Sequence, residues 1–257
     1  MLEMRCPAKI NLYLRIVGKR EDGYHGLVTL FQEIDLADSL YWEPDASACR
    51  LTVSGSDVGP LKDNLVWRAI EAFKRESGLA VGGVFHLEKR IPAGGGLGGG
   101  SSDAAGTLRM LNGFYGQPLA PDVMDRLALA LGSDVPFFLR GGCCQGEGRG
   151  ELLKPVAAPE CPRGGYLLLP GLHLSTVAVF KAYAGGVRPD EDRGDVLGEN
   201  HLLAAALSVS DAFKDCWLGL RKILAGKIVF MTGSGSSCVW LTETGSIRDE
   251  MQQTLAG

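Results

Sequence analysis

Between Pro92 and Ala105 the chain reads P-A-G-G-G-L-G-G-G-S-S-D-A-A, with six glycines, two serines and an aspartate. The chemistry open to these residue types at this spacing is anion binding. Glycine lets the backbone close on a phosphate, and the first N–H groups of a following helix point at it without an intrahelical partner. The flanks fit. Val84 to Ile91 alternates apolar and polar residues as a strand does, and Leu108, Leu111 and Phe114 recur at helical spacing. A helix starting promptly at Ser101-Ser102-Asp103, which look like capping residues, argues against a flexible linker, as does Leu97 inside the glycine run. Gly94-x-Gly96-x-x-Gly99 also matches the dinucleotide fingerprint. That reading needs a second parallel strand after the helix, and here Gly116-Gln117-Pro118 and another helix follow. No lysine follows the glycines, so the Walker A loop is excluded.

Three other places carry reactive types. Lys9 and Asn11 share one face of a strand, between Ala8, Ile10 and Leu12. Asp134 precedes Val135-Pro136. Gly233-Ser234-Gly235 sits in a third glycine turn. Taken singly, each has an ordinary reading: an edge strand with its lysine in water, a helix cap at Ser133 or Asp134, and a hairpin turn.

The elements that must position these residues are mixed. Residues 9–17, 27–36 and 49–54 read as strands. Residues 64–77 read as a helix with Leu65, Ala69, Ile70 and Phe73 on one face and Gly78 after it. Helices are expected over 102–114 and 121–131. Residues 132–139 could open a short helix or a strand, and 141–150 a loop or bulged hairpin. After Pro155 come a strand at 165–169, a helix at 175–184 and a surface loop at 185–198. Two helices broken near 208–210 follow within 200–225, then strands at 227–231 and 238–242 and a last helix at 247–255. Strands and helices mix without strict alternation, so the class is α+β with two lobes.

Composition narrows the partners. The chain has 257 residues, 46% of them hydrophobic and 22% charged, enough to bury a sizeable core. A net charge of −4 argues against nucleic acid held by a general basic field. No apolar run is long enough to span a bilayer, and the N-terminus lacks a signal-peptide core, so a cytoplasmic prokaryotic protein is expected. Seven cysteines without C-x-x-C, and four histidines without H-x-x-x-H, form neither a disulfide framework nor a zinc pattern.

Taken together and in order, P-A-K-I-N-L at residues 7–12, the glycine run at 92–105 and T-G-S-G-S-S at 232–237 resemble the three signature motifs of the GHMP kinase superfamily. Gly18 to His25, Asp63-Asn64-Leu65-Val66, Gly132 to Phe137 and Arg140-Gly141-Gly142 are similar to the branch that phosphorylates a cytidine-diphospho-methylerythritol. The lengthened glycine loop is that branch's version, not the shorter mevalonate or homoserine kinase form.

The resemblance implies a ribosomal-S5-like N-terminal lobe, an ATP-binding domain over residues 1–154, and a ferredoxin-like C-terminal lobe over 155–257. It implies ATP and Mg2+ as cofactors and transfer of the γ-phosphoryl group to the acceptor's 2-hydroxyl. Lys9 and Asp134 are the implied catalytic pair. Pro92, Gly94, Gly95, Gly96, Leu97, Gly98, Gly99, Gly100, Ser101 and Ser102, with Asn64 and Leu65, are implied to bind ATP. Asn11, Tyr24, His25, Thr176, Phe180, Gly233, Ser234 and Gly235 are implied to bind the acceptor. No magnesium ligand is assigned, though Ser101 or Ser102 could contribute. Asn200-His201-Leu202 departs from the N-D-L of the pattern. Two other readings stay open: a mevalonate- or homoserine-like small-molecule kinase, and a nucleotide-binding regulator without catalysis. The only expected partner is the small-molecule acceptor, with no nucleic acid and no membrane.

Overall fold

The computed structural model describes residues 1–46, 48–55, 59–156, 164–183 and 196–242. They form two compact units that are discontinuous in sequence. The first comprises residues 1–9, 31–93 and 98–155; the second takes in residues 10–30 and 94–97 and the chain after Pro155.

In the first unit the strands are β1 (Leu2–Lys19), β2 (His25–Glu43), β3 (Arg50–Ser54), β4 (Val84–Glu88), β5 (Cys143–Glu147) and β6 (Leu152–Pro155). They make one sheet in the order β3-β4-β2-β5-β6, with β1 paired to β2. β1 and β2 run past the unit, because residues 10–19 and 25–30 belong to the second. β2 pairs antiparallel with β4, from Ser39 opposite Glu88 to Glu43 opposite Val84. Alternation decides the inward face. Leu40, Trp42, Phe85 and Leu87 are fully buried, and the Trp42 and Phe85 rings stack with centroids 5.0 Å apart. Each such side chain contributes roughly 1.5–3 kcal/mol by leaving water.

The helices of this unit are α1 (Leu65–Ser77), α2 (Gly99–Phe114), α3 (Pro121–Leu131) and α4 (Val135–Arg140). α1 starts where Asn64 accepts a hydrogen bond from the Val66 N–H at 2.9 Å and stops at Gly78, whose φ is +68°. Its buried face is Val66, Ala69, Ile70, Ala72 and Phe73; Leu65, expected on that face, is half-buried. Residues 132–139 take the helical option as α4, and 141–150 the hairpin option, holding β5 and the turn that leads into its partner β6.

The second unit carries the three-stranded antiparallel sheet β7 (Gly164–Leu168), β9 (Cys238–Thr242), β8 (Ile228–Met231), with β9 central. Its helices are α5 (Thr176–Ala182), α6 (Leu203–Val209) and α7 (Asp211–Ile223). The expected break falls at Ser210, whose side chain caps α7 by accepting from the Phe213 N–H at 3.2 Å. Leu14, Ile16, Val179, Phe213, Trp217, Met231 and Trp240 share its core. The mixed α+β class expected from the sequence holds. The loop expected at 185–198 lies largely, and the helix at 247–255 wholly, outside the described residues.

Candidate active site

α2 emerges from the glycine loop through Gly98, which caps it in a left-handed conformation, φ +72°. The helix therefore begins at Gly99. Ser101, Ser102 and Asp103, expected as capping residues, lie inside it, because a positive φ at Gly98 lets the backbone turn in with no side-chain cap. A Cβ on Gly98 would lie 2.8 Å from the Phe138 ring and 3.3 Å from Lys9 Cε, so the residue has no room for a side chain. A Cβ on the exposed Gly100 would come 3.4 Å from Leu65 Cδ1. That contact brings the expected Asn64–Leu65 pair up against the start of α2. Ser101 is half-buried, and Ser102 is buried with its Oγ lacking a hydrogen-bond partner. Half-buried Pro92 begins the loop.

Lys9 and Asp134 come together in the same unit. Lys9 Nζ lies 3.5 Å from Asp134 Oδ2, with the lysine side chain 4% exposed and the aspartate 34%. Asp134 immediately precedes α4 yet makes no capping hydrogen bond. Its carboxylate is about a third exposed and faces the lysine. Phe31 lies under the ammonium, 5.4 Å from ring centroid to Nζ. A buried ammonium against one part-exposed carboxylate can hold a hydroxyl and take its proton.

In the second unit the remaining motifs meet. The Asn11 N–H donates to Thr232 Oγ1 and its side-chain amide to Thr29 Oγ1, both at 2.7 Å. Gly96 and Gly233 touch backbone to backbone: a Cβ on Gly96 would lie 2.7 Å from the Thr232 carbonyl oxygen, and one on Gly233 2.8 Å from that of Gly96. The Ser237 N–H donates to the Gly95 carbonyl at 3.3 Å. Leu97 is buried as an anchor, and Gly235 packs on Met231 and Leu174. Thr176 Oγ1 and Ser234 Oγ share a hydrogen bond at 2.9 Å. The His25 ring lies 5.5 Å from that of Phe180, tilted by 32°, and 5.7 Å from that of Tyr183, edge-on. Tyr24 is 57% exposed.

Several contributors gave little sign in the sequence. Asn200 donates to the Met231 and Gly233 carbonyls, both at 2.8 Å, and so fastens the third glycine turn. Next to it, His201 Nδ1 accepts the Ile16 N–H at 3.0 Å, and the His201 N–H donates to the Leu14 carbonyl at 2.9 Å. Where the pattern has aspartate, this histidine ties the segment to β1. The imidazole of His173 occupies the space a side chain on Gly94 would need. The one available signal was the Asn200-His201 departure itself.

The fold and the glycine-loop geometry define a class, and residues 64–142 match the GHMP kinases N terminal domain. A solved structure described as 4-(cytidine 5'-diphospho)-2C-methyl-D-erythritol kinase is similar at 37% identity, with a TM-score of 0.80 over 99% of this chain and 96% of that one. The 4-diphosphocytidyl-2-C-methyl-D-erythritol kinase of Xanthomonas euvesicatoria pv. vesicatoria is 45% identical over 246 residues, covering 91% of this chain and 79% of the relative. That of Xanthomonas oryzae pv. oryzae is 44% identical over 179 residues, 69% of this chain and 60% of the relative's length. The chain belongs to the 4-diphosphocytidyl-2-C-methyl-D-erythritol kinase family.

Proposed function

We propose that the protein transfers the γ-phosphoryl group of ATP to the 2-hydroxyl of 4-diphosphocytidyl-2-C-methyl-D-erythritol, a step of the non-mevalonate isoprenoid route. The observation that carries this reading is the Lys9–Asp134 pair, 3.5 Å apart, in the unit that also holds the start of α2. Phosphoryl transfer asks mainly for positioning and charge stabilisation. Asp134 receives or guides the proton of the acceptor hydroxyl. The new O–Pγ bond forms as the bond from Pγ to the bridging oxygen breaks, and ADP leaves. Lys9 holds Asp134 in place and offsets negative charge as it develops. The amides of the glycine loop, from Gly94 to Ser102, cradle the phosphates, with Pro92, Asn64 and Leu65 bordering the nucleotide.

In the second unit, Tyr24, His25 and Phe180 take the cytosine, with Tyr183 behind His25. Asn11, Thr176, Gly233, Ser234 and Gly235 order the rest of the acceptor. The functional division at residue 154, the cytoplasmic location, and a small-molecule partner without nucleic acid or membrane belong to the same reading. No helix among the described residues is long and apolar enough to cross a membrane.

Magnesium fits this chain in one way. No group of three His, Cys, Asp or Glu side chains suited to a metal stands among the described residues, whereas Ser102 Oγ is buried and unpartnered. A hydroxyl beside phosphate oxygens suits an ion that keeps much of its water. Ser101 or Ser102 would hold it, and it would supply charge neutralisation on the phosphates.

The product tests the proposal. C2 of the acceptor carries the methyl branch and no hydrogen, so a phosphomonoester there gives a 31P resonance without three-bond proton coupling. With ATP, Mg2+ and this acceptor, that uncoupled resonance is expected beside ADP. A proton-coupled phosphomonoester, or no product, overturns the reading.

A further inference from the structure

Asp103 belongs to the glycine-run signature and lies in the first turns of α2, with no part in the chemistry proposed for Lys9 and Asp134. Its carboxylate is buried and faces two other buried charges. Lys89 Nζ donates to Asp103 Oδ2 at 2.7 Å and also to Asp38 Oδ2. Asp38 Oδ1 accepts two backbone N–H groups, from Arg90 at 2.5 Å and Ile91 at 2.8 Å. All three side chains are nearly inaccessible. The connections have a direction. Asp38 lies on β2. Arg90 and Ile91 are the last residues before Pro92, where the chain enters the glycine loop, and Asp103 lies on α2, where it leaves. Lys89 Nζ lies 3.2 Å, and Ile91 Cγ2 3.0 Å, from the place a Cβ on Gly99 would take.

We propose that Asp38, Lys89 and Asp103 form a clamp that fixes the entering and leaving stems of the glycine loop to one strand, making Lys89 a positioning residue for the phosphates of ATP. This rests on the kinase reading and deepens it. The physical need is clear. Glycines have the most backbone freedom to lose on ordering, and the loop's amides hold phosphate well only when pre-set. Buried groups that face one another supply that constraint, because an ammonium between two carboxyl groups has few other positions open to it. One charge is not fully met. Asp103 Oδ1 has no hydrogen-bond partner. Burial, opposed by Lys89 and reinforced by Asp38, raises the Asp103 carboxyl to about 7. Lys89 itself, which burial would lower, is held above its ordinary value by Asp103 and Asp38.

The clamp does not touch substrate, so its loss should appear in nucleotide binding and not in acceptor binding. The test is calorimetric titration with a non-hydrolysable ATP analogue. Circular dichroism serves as the folding control, and KM is measured separately for ATP and for the acceptor. Lys89→Met should weaken analogue binding by about tenfold or more, roughly 1.4 kcal/mol, and leave the acceptor KM near its original value. Asp103→Asn keeps an acceptor oxygen for Lys89 and should retain most binding, whereas Asp103→Ala should lose it. If Lys89→Met does not fold, the Asn and Ala pair carries the test alone. A folded Lys89→Met that binds the analogue normally, or folded Asp103→Ala and Asp103→Asn of equal affinity, overturns the clamp and leaves the kinase reading intact. An unaltered protein that fails to bind the analogue overturns both.

Discussion

On the proposed function, the start of α2 and the aromatic group around His25 meet different demands with different materials. In the first, a lysine is buried against a carboxylate 3.5 Å away, and Gly98 has no room for a side chain. In the second, Phe180 and His25 are half-buried, their rings 5.5 Å apart and tilted, and Tyr24 is more than half exposed. Chemistry at a phosphate needs charge held still, because a small misplacement costs a large factor in rate. Recognition of a base needs open ring faces, and each stacked face contributes a modest, separable amount. Substitutions in the first region should therefore act steeply on turnover, and those in the second gently on one substrate's affinity.

The steepest effect is expected at the proposed catalytic pair, Lys9 and Asp134. Asp134→Asn and Lys9→Ala should each lower kcat by roughly 10²–10⁴-fold, the range for losing a positioned proton acceptor or its charge partner. Their effects should combine far less than multiplicatively in the double variant. Near-normal kcat in Asp134→Asn would erase the contrast between the regions.

Next is Gly98→Val. It meets both a left-handed backbone and the Phe138 ring, 2.8 Å from its Cβ. ATP-analogue binding should fall by at least an order of magnitude, about 1.4 kcal/mol, in a protein that stays folded by circular dichroism. Unchanged affinity would make the loop a connector.

Phe180→Leu should raise the acceptor KM about tenfold, since stacking a base on an aromatic ring contributes ~1–3 kcal/mol. The ATP KM should hold. A sharp drop in Tm with an unchanged acceptor KM would place Phe180 in the core it borders and remove it from recognition.

The smallest effect concerns pH. Asp103 has a folded value of about 7, above the ~3.9 of an unfolded aspartate. Between these values the folded state holds a proton that the unfolded state has lost, so stability falls as pH rises from about 4 to about 7 and then levels. Tm should decline over that window, and Asp103→Asn should flatten the decline. An identical pH profile in the variant would contradict the buried, charge-crowded state of this carboxyl.

What was legible in the sequence follows from the same physics. Glycine needed for a positive φ or a close backbone approach leaves a mark at its own position, so Gly96, Gly98 and Gly233 were readable. So were the stop of α1 at Gly78 and the alternation of β4. The α2 start was misread because Ser101-Ser102-Asp103 carry capping chemistry while the cap is made by backbone alone. Contacts between distant residues left no local mark. Lys89 and Asp38 are 51 positions apart, and Asn200 and Gly233 are 33 apart. The pairing of Lys9 with Asp134 was reachable only through resemblance, since either residue alone has an ordinary reading.

The most direct measurement is ADP release with saturating ATP and Mg2+ across four acceptors: 4-diphosphocytidyl-2-C-methyl-D-erythritol, mevalonate, homoserine and galactose. Turnover confined to the cytidine-diphosphate acceptor is expected. Comparable turnover of any of the other three would contradict it.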